Sequence, residues 1–397
     1  MDDFAVPLSE LTERIHRFQQ TLQAHDIDAA LILQNTDLYY FSGTIQQSFL
    51  FIPAQGEPIL MTRKSFERAL GESALPIIAP LKSPKDVPRT LAEHGIAPPA
   101  RLGLELDVLP VQLYQGIGQI FPHAELVDVS HDIRTVRSVK SEYELGLIAE
   151  AAHFSDQVFS HVSGICREGM AEVALAGAIE GFARTLGHQG TVRMRLWGSE
   201  MFYGHLMAGP DAAAPSFLAS PTGGKGLSAA TAQGAGFHRI GRHQPILIDY
   251  VFAWKGYLAD QTRIFSIGPI ADELIRAHED MLLLEAEIMS WIRPGISAGS
   301  IYEKAIDWTN RKGYADSFMG SGDQRVRFIG HGVGLELDEY PFFAKGQQTV
   351  VQENMVVAIE PKLIFPGKGV VGIENTFRVT AKGLVPFTQF PDGIQLL

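Results

Sequence analysis

The chain has 397 residues, enough for two domains of ordinary size with cores of their own. Apolar residues make up 46% and charged residues 20%, a globular profile rather than a disordered one. A net charge of −12 leaves no surplus of Lys and Arg for phosphates and argues against a nucleic-acid partner, while the single cysteine, Cys166, excludes an internal disulfide and fits a reducing compartment.

The opening "MDDFAVPLSELTERI" is acidic and lacks an apolar signal core. No run approaches the ~20 apolar residues of a membrane helix, so the expectation is a soluble cytoplasmic protein with no membrane partner. Leu8, Leu11, Ile15, Phe18 and Leu22 recur at helical spacing, with Ser9 as a candidate cap. "DAALILQ" reads as a buried strand, and "SFLFIPAQGEPILMTRK" as a hairpin turning at "AQGEP". A helix-like stretch near "PKDVPRTLAEHG" and short strand signals at "RLGLEL" and "AELVDV" complete a small α/β domain. After the polar, basic "HDIRTVRSVKSEYEL", an amphipathic helix repeats Leu147, Ala151, Phe154, Val158 and Val162. The boundary falls there, giving domains 1–135 and 136–397. The second domain adds the helices "ADELIRAHEDMLLLEAEIMSWI" and "SIYEKAIDWTNRKG" and antiparallel strand signals after residues 240 and 350. The overall class is α+β. "SPTGGKGLS" lacks the spacing of a phosphate loop and reads as a flexible loop.

Chemistry concentrates in two apolar hairpins. In "PILIDYVFAWKGYLADQTRIFSIG", a turn at Lys255–Gly256 makes Trp254 face Tyr257 and places Asp260 opposite Val251. Asp249 then shares a face with Val251, so the two aspartates become diagonal neighbours about 7–8 Å apart. They repel unless a cation or proton lies between them. In "MVVAIEPKLIFPGKGVVGIENTFRVT", a three-residue loop Pro366–Gly367–Lys368 puts Glu360 directly opposite Glu374; a four-residue loop would instead put them on opposite faces as ordinary surface residues. Between the hairpins, "GHGVGLELDE" sets His331 between two glycines, as a spacer in a tight loop or as a metal ligand. Four carboxylates and one imidazole suit two divalent ions of the Mn, Fe, Co or Zn kind.

The segments "LIDY", "ADQTR", "GHGVGLELDE", "MVVAIEP" and "VGIENTFRVT", at these spacings, resemble the pita-bread metallopeptidases: aminopeptidase P, prolidase, methionine aminopeptidase and the creatinases. The intervals are most similar to the prolidase, or Xaa-Pro dipeptidase, branch. "VRSVKSEYEL" resembles the family's lead-in to its catalytic domain, and "DAALILQNTDLYYFSG" its N-terminal domain. The resemblance implies a creatinase/prolidase-like α/β domain followed by a pita-bread domain. It implies a dinuclear-metal hydrolase that cleaves a small peptide or amide by attack of a metal-bridging hydroxide. Asp249 would hold one ion, Asp260 and Glu374 would bridge, His331 and Glu360 would complete the second, and Glu360 would also shuttle protons. A homodimer is implied as well.

Two positions depart from the family. In "MAGPDAAAPSFL", Ser216 stands where a histidine is usual, and Asp338 stands where "GHG" is normally followed by a His-Glu pair. The groups that would bond a reacting carbonyl are replaced, and one such donor is typically worth ~10²–10³ in turnover. Asp338 could bind a cationic substrate, and His205, near Trp197, Phe202 and Tyr203, is the candidate substitute in the pocket, although such a histidine is more often packed and backbone-bonded. The alternatives are a creatinase-like C–N hydrolase or lyase acting on a small metabolite without metal, and a catalytically silent binding protein on the same scaffold.

Overall fold

Leu11, Ile15, Phe18 and Leu22 form one stripe, and the helix Leu8–Ala24 buries all four. Leu8 departs from the expected stripe, being 48% exposed in the first turn. Ser9 does not cap the helix either, because Pro7 already holds the N-cap position. The computed structural model describes residues 5–397, so the Met1–Phe4 part of the signal-peptide reading lies outside the described residues. The chain divides between Arg137 and Ser138, inside the helix Ser130–Ser138.

The first unit is built on a six-stranded sheet. The central strand Ala29–Ile32 pairs antiparallel with Ser48–Pro53, and Ser48–Pro53 pairs with Ile59–Thr62 through the expected turn. On the other side Arg101–Leu104 and Glu125–Asp128 run parallel. One face packs a core that includes Leu31, Phe51, Met61, Leu91 and Leu102.

The second unit opens with Ser141, whose hydroxyl accepts the Glu144 amide while the Glu144 side chain returns to the Ser141 amide. This capping box starts the helix Glu142–Ile165 and satisfies two amides that otherwise lack partners. That helix and Glu172–Thr185 pack on a four-stranded sheet that includes Gly204–Ala208, Ile246–Trp254 and Tyr257–Ser266. A second four-stranded sheet carries Gly330–Gly332, Val356–Ile359, Asn375–Thr380 and Gly383–Pro386, and the helices Asp272–Trp291 and Ala298–Lys312 cover it. Each sheet thus has its own helix pair, which leaves the polar face of the two hairpins to meet at one place. Among the described residues, no helix is long and apolar enough to cross a membrane.

His188, just after Glu172–Thr185, is a probe of this packing. Its ring stacks on Tyr203 at 4.1 Å, Nε2 lies 3.1 Å from the Val251 carbonyl, and Nδ1 accepts the Gly190 amide at 2.9 Å. Burial pushes its pKa down to about 4. The folded state thus binds fewer protons than the unfolded state between pH 6.5 and 4, so its contribution is complete above that window and is lost as pH falls through it. We expect melting temperature to fall more steeply from pH 6.5 to 4 in the wild type than in His188→Gln, with a differential of at most about 3 kcal/mol. Parallel pH profiles would contradict this.

Candidate metal centre

The first hairpin has the expected register: Trp254 faces Tyr257 and Val251 faces Asp260. Its turn is closed by Lys255 and Gly256 at φ +48° and +93°, the left-handed pair that suits a twisted two-residue turn even without asparagine. In the second hairpin Phe365 faces Gly369 across the three-residue loop, and Lys362 faces Gly372. Beyond a short break the same register resumes, with Ile359 facing Asn375 and Val356 facing Arg378. Glu360 and Glu374 lie at that break, where the ribbon passes from a two-stranded piece into the four-stranded sheet.

The hairpins are joined at Thr262 and Glu374. Their backbones exchange hydrogen bonds at 3.2 and 3.4 Å, and the Thr262 hydroxyl donates to Glu374 Oε2 at 2.9 Å. The Thr376 hydroxyl accepts the Asp260 amide and donates to the Asp260 carbonyl, both at 2.8 Å. His331 arrives on a third strand, paired with Ala358. The structure therefore brings Asp249, Asp260, His331, Glu360 and Glu374 together.

His331 Nδ1 lies 3.0 Å from the Gly332 carbonyl, which can only accept, so that nitrogen carries the proton. Nε2 then points at Glu360 Oε1, Asp260 Oδ2 and Glu374 Oε1, at 3.7, 3.9 and 3.9 Å. These distances are too long for hydrogen bonds but suit groups arranged around a shared cation. Ligand atoms of Asp260, His331 and Glu374 all lie within 4.8 Å of one another. Asp260 Oδ1 and Glu374 Oε1 are buried with no hydrogen-bond partner. Orphaned buried carboxylate oxygens are costly, and a divalent cation is the partner that fits them.

Sequence reasoning missed Lys362. Its ammonium lies 3.0 Å from Asp249 Oδ2, 2.9 Å from Glu360 Oε2 and 2.8 Å from Glu374 Oε2, and its side chain is only 2% exposed. Strand alternation carried the signal, since Lys362 is two residues from Glu360 and so on its face.

Electrostatics follow from this crowding. Burial works against the Lys362 charge, but Asp249, Glu360 and Glu374 outweigh it and hold the ammonium well above the usual lysine range. Burial, reinforced by Glu374 and Asp249, pushes Asp260 well above the carboxylate range. Glu360 rises to about 7, with burial and Glu374 acting against the attraction of Lys362. Asp249 is lowered, because Lys362 and His205 together overcome its burial. For His331, burial opposes the charge but Asp338, Glu360 and Glu374 prevail and raise it. The centre retains an unmet demand for positive charge around Asp260.

The remaining expected residues are placed unevenly. His205 faces Asp249 across the ladder and lines the same cleft, with Nε2 buried and unpartnered; burial lowers its pKa. Asp338 also lines the cleft, its Oδ1 3.7 Å from His331 Nδ1. Ser216 is not among the residues lining the cleft, and its hydroxyl donates to the Ala232 carbonyl. Glu339 turns away from the centre: its carboxylate meets Lys140 at 2.6 Å and takes the amides of Leu335 and Glu336. Arg263 reaches the backbone carbonyl of Glu374 rather than its carboxylate, and Arg378 pairs with Glu142 and Asn354. Neither arginine neutralises the site. Trp197 is 93% exposed, so it is neither core nor cleft lining.

The three carboxylates of Asp260, Glu360 and Glu374 and the His331 imidazole, around a cation seat that lines a cleft, define a metal-dependent hydrolase centre. Residues 146–381 match Metallopeptidase family M24 and residues 14–139 match the Creatinase/Prolidase N-terminal domain. The chain belongs to metallopeptidase family M24, which implies a divalent metal cofactor. It is 26% identical over 377 residues to the Xaa-Pro dipeptidase of Pyrococcus horikoshii, covering 94% of this chain and 96% of that one. It is 25% identical to the uncharacterized peptidase YqhT of Bacillus subtilis, with the same coverage. Among solved structures, the Xaa-Pro dipeptidase from Bacillus anthracis superposes with a TM-score of 0.82 at 23% identity, covering 98% of this chain and 100% of that one.

The orphaned oxygens yield a test. Asp260→Ala should weaken Mn²⁺ binding by more than about tenfold, since groups that merely orient ligands are worth 10–100-fold. It should also abolish the rise in melting temperature that Mn²⁺ produces. Unchanged metal content in that variant would count against a ligand role.

Proposed function

We propose that this protein hydrolyses a small amide, with Xaa-Pro di- and tripeptides as the first substrate class, at a divalent cation held by Asp260, His331, Glu360 and Glu374. The observation that carries the reading is the pair of buried, unpartnered oxygens Asp260 Oδ1 and Glu374 Oε1 on carboxylates that each bring an oxygen to 3.9 Å from His331 Nε2. When bound, the divalent ion, of the Mn, Fe, Co or Zn kind, supplies Lewis acidity that polarises a carbonyl and makes water a stronger acid.

The protein's own groups supply the rest. Glu360 presents Oε1 toward His331 while Oε2 is tied to Lys362, so the carboxylate is fixed at the cleft floor, where it would take a proton from water and return it to the leaving nitrogen. His205, whose pKa burial lowers, offers its unpartnered Nε2 to a substrate oxygen. Asp338, 29% exposed at the side chain, offers a negative charge to a substrate ammonium. Met194, Leu196, Met201, Leu218 and Phe328 give the cleft an apolar wall suited to a proline ring or aliphatic side chain. Ser216, bonded to Ala232, is assigned no part in this scheme.

One observation favours a second reading. An aspartate at 338 and a serine turned out of the cleft leave His205 as the imidazole beside the carboxylates in addition to His331, so a non-peptide C–N bond in a small cationic metabolite is the alternative substrate.

A panel of Xaa-Pro peptides and small cationic amides, assayed with Mn²⁺ and with a chelator, decides between them. Chelator-sensitive turnover of Xaa-Pro peptides is the expected result. Chelator-insensitive turnover would refute metal-dependent hydrolysis, and silence across the panel would move the protein to a binding role. Asp338→His should raise kcat/KM on Xaa-Pro substrates, by up to about 10²–10³-fold if it restores a carbonyl donor. No gain would show that position 338 does not set the substrate.

A further inference from the structure

The centre has two sides. On one, Glu360 Oε1 and Glu374 Oε1 face His331 with Asp260. On the other, Glu360 Oε2, Glu374 Oε2 and Asp249 Oδ2 converge on one point, and the Lys362 ammonium sits there at 2.8–3.0 Å. An ammonium has three donors, and three carboxylates take them. Glu360 and Glu374 therefore bridge two cation seats, one of which is filled by a side chain of the protein itself.

We propose that Lys362 is a built-in cation that permanently occupies the Asp249 side, so that the centre takes one divalent ion per chain rather than two. This deepens the reading given above and rests on it for the ion on the His331 side. Two features support a fixed position. The lysine side chain is 2% exposed, and its ammonium is held at 2.8–3.0 Å by three carboxylates. Gly372, directly across the ladder, has the room the side chain needs: a Cβ there would stand 2.7 Å from Lys362 Cα and 2.9 Å from its Cγ. The lysine and the bare glycine opposite it belong to one arrangement. A second divalent ion would have to displace an ammonium held by three carboxylates, at short range and with like charge.

The two-ion expectation is thus replaced by one divalent ion and one ammonium. The consequence for the residues is specific. Asp249, expected as a metal ligand, becomes the anchor of Lys362. Asp260, His331, Glu360 and Glu374 remain as ligands of the single ion.

The test is stoichiometry, which does not depend on turnover. Purified full-length protein is stripped, reloaded with excess Mn²⁺, desalted and analysed for metal by mass spectrometry and for coupling by electron paramagnetic resonance. The wild type should hold one Mn²⁺ per chain with the resolved six-line signal of an isolated ion. Lys362→Gly should hold two and show the broadened signal of a coupled pair. Lys362→Met, which fills the space without charge, should hold no more than one. Two coupled ions in the wild type, none at all, or a well-folded Lys362→Gly that still holds one would each overturn the proposal. Should Lys362→Gly fail to fold, the wild-type count and spectrum decide alone. One ion without turnover of any amide would leave this inference standing and sink the hydrolase reading. Two ions with turnover would do the reverse.

Discussion

Negative charge without enough water around it is the constraint that the catalytic unit is arranged to satisfy. Asp249, Asp260, Glu360 and Glu374 converge where each is at most slightly exposed. Breaking one partner from a buried ion pair typically costs about 3–5 kcal/mol, so four such groups cannot be left to themselves. The protein meets part of the demand with an ammonium and leaves the rest unmet around Asp260 and Glu374, whose Oδ1 and Oε1 have no hydrogen-bond partner. Binding and folding are coupled by this choice, because the oxygens come together only when the ribbons have met.

The ribbons meet through few contacts of high quality. One backbone pair, Thr262 with Glu374, two threonine hydroxyls and the Arg263 guanidinium set the distance between hairpins that are far apart in sequence. Around them the environment is apolar: Ile264, Val370 and Ile364 are essentially without solvent contact. Such a dry surround strengthens every electrostatic term at the centre and keeps bulk water from screening it. The helices behind each sheet need only hold the ribbons rigid.

Much of this was readable before any coordinates. Periodicity marked the helices Leu8–Ala24, Glu142–Ile165, Asp272–Trp291 and Ala298–Lys312 but passed over Glu172–Thr185, and strand alternation with turn position gave the register of the first hairpin and two candidate loops for the second, of which the structure has the three-residue one. What escaped was the partner of those carboxylates. Lys362 is two residues from Glu360 and on the same face, but a base among acidic ligands carries no spacing signature of its own. Ser216 was misjudged for a different reason. It lies in residues 214–245, which have no long helix or strand, and without a period no rule tells which way a side chain points. Leu8 and Ser9 failed because a proline outside the pattern set the start of the first helix.

The lead-in to the catalytic unit has a bearing on how this enzyme can be dissected. Lys140 is the third residue past the division, and its ammonium is the 2.6 Å partner of Glu339, whose carboxylate gathers the amides of Leu335 and Glu336 beside Asp338. The first strides of the second unit are thereby fastened to the rim of the cleft. A shortened chain that starts beyond Lys140 would strand a buried acid and loosen the rim, whereas one that starts at Ser138 keeps the fastening, so the safe cutting point is narrower than the division between the two units suggests.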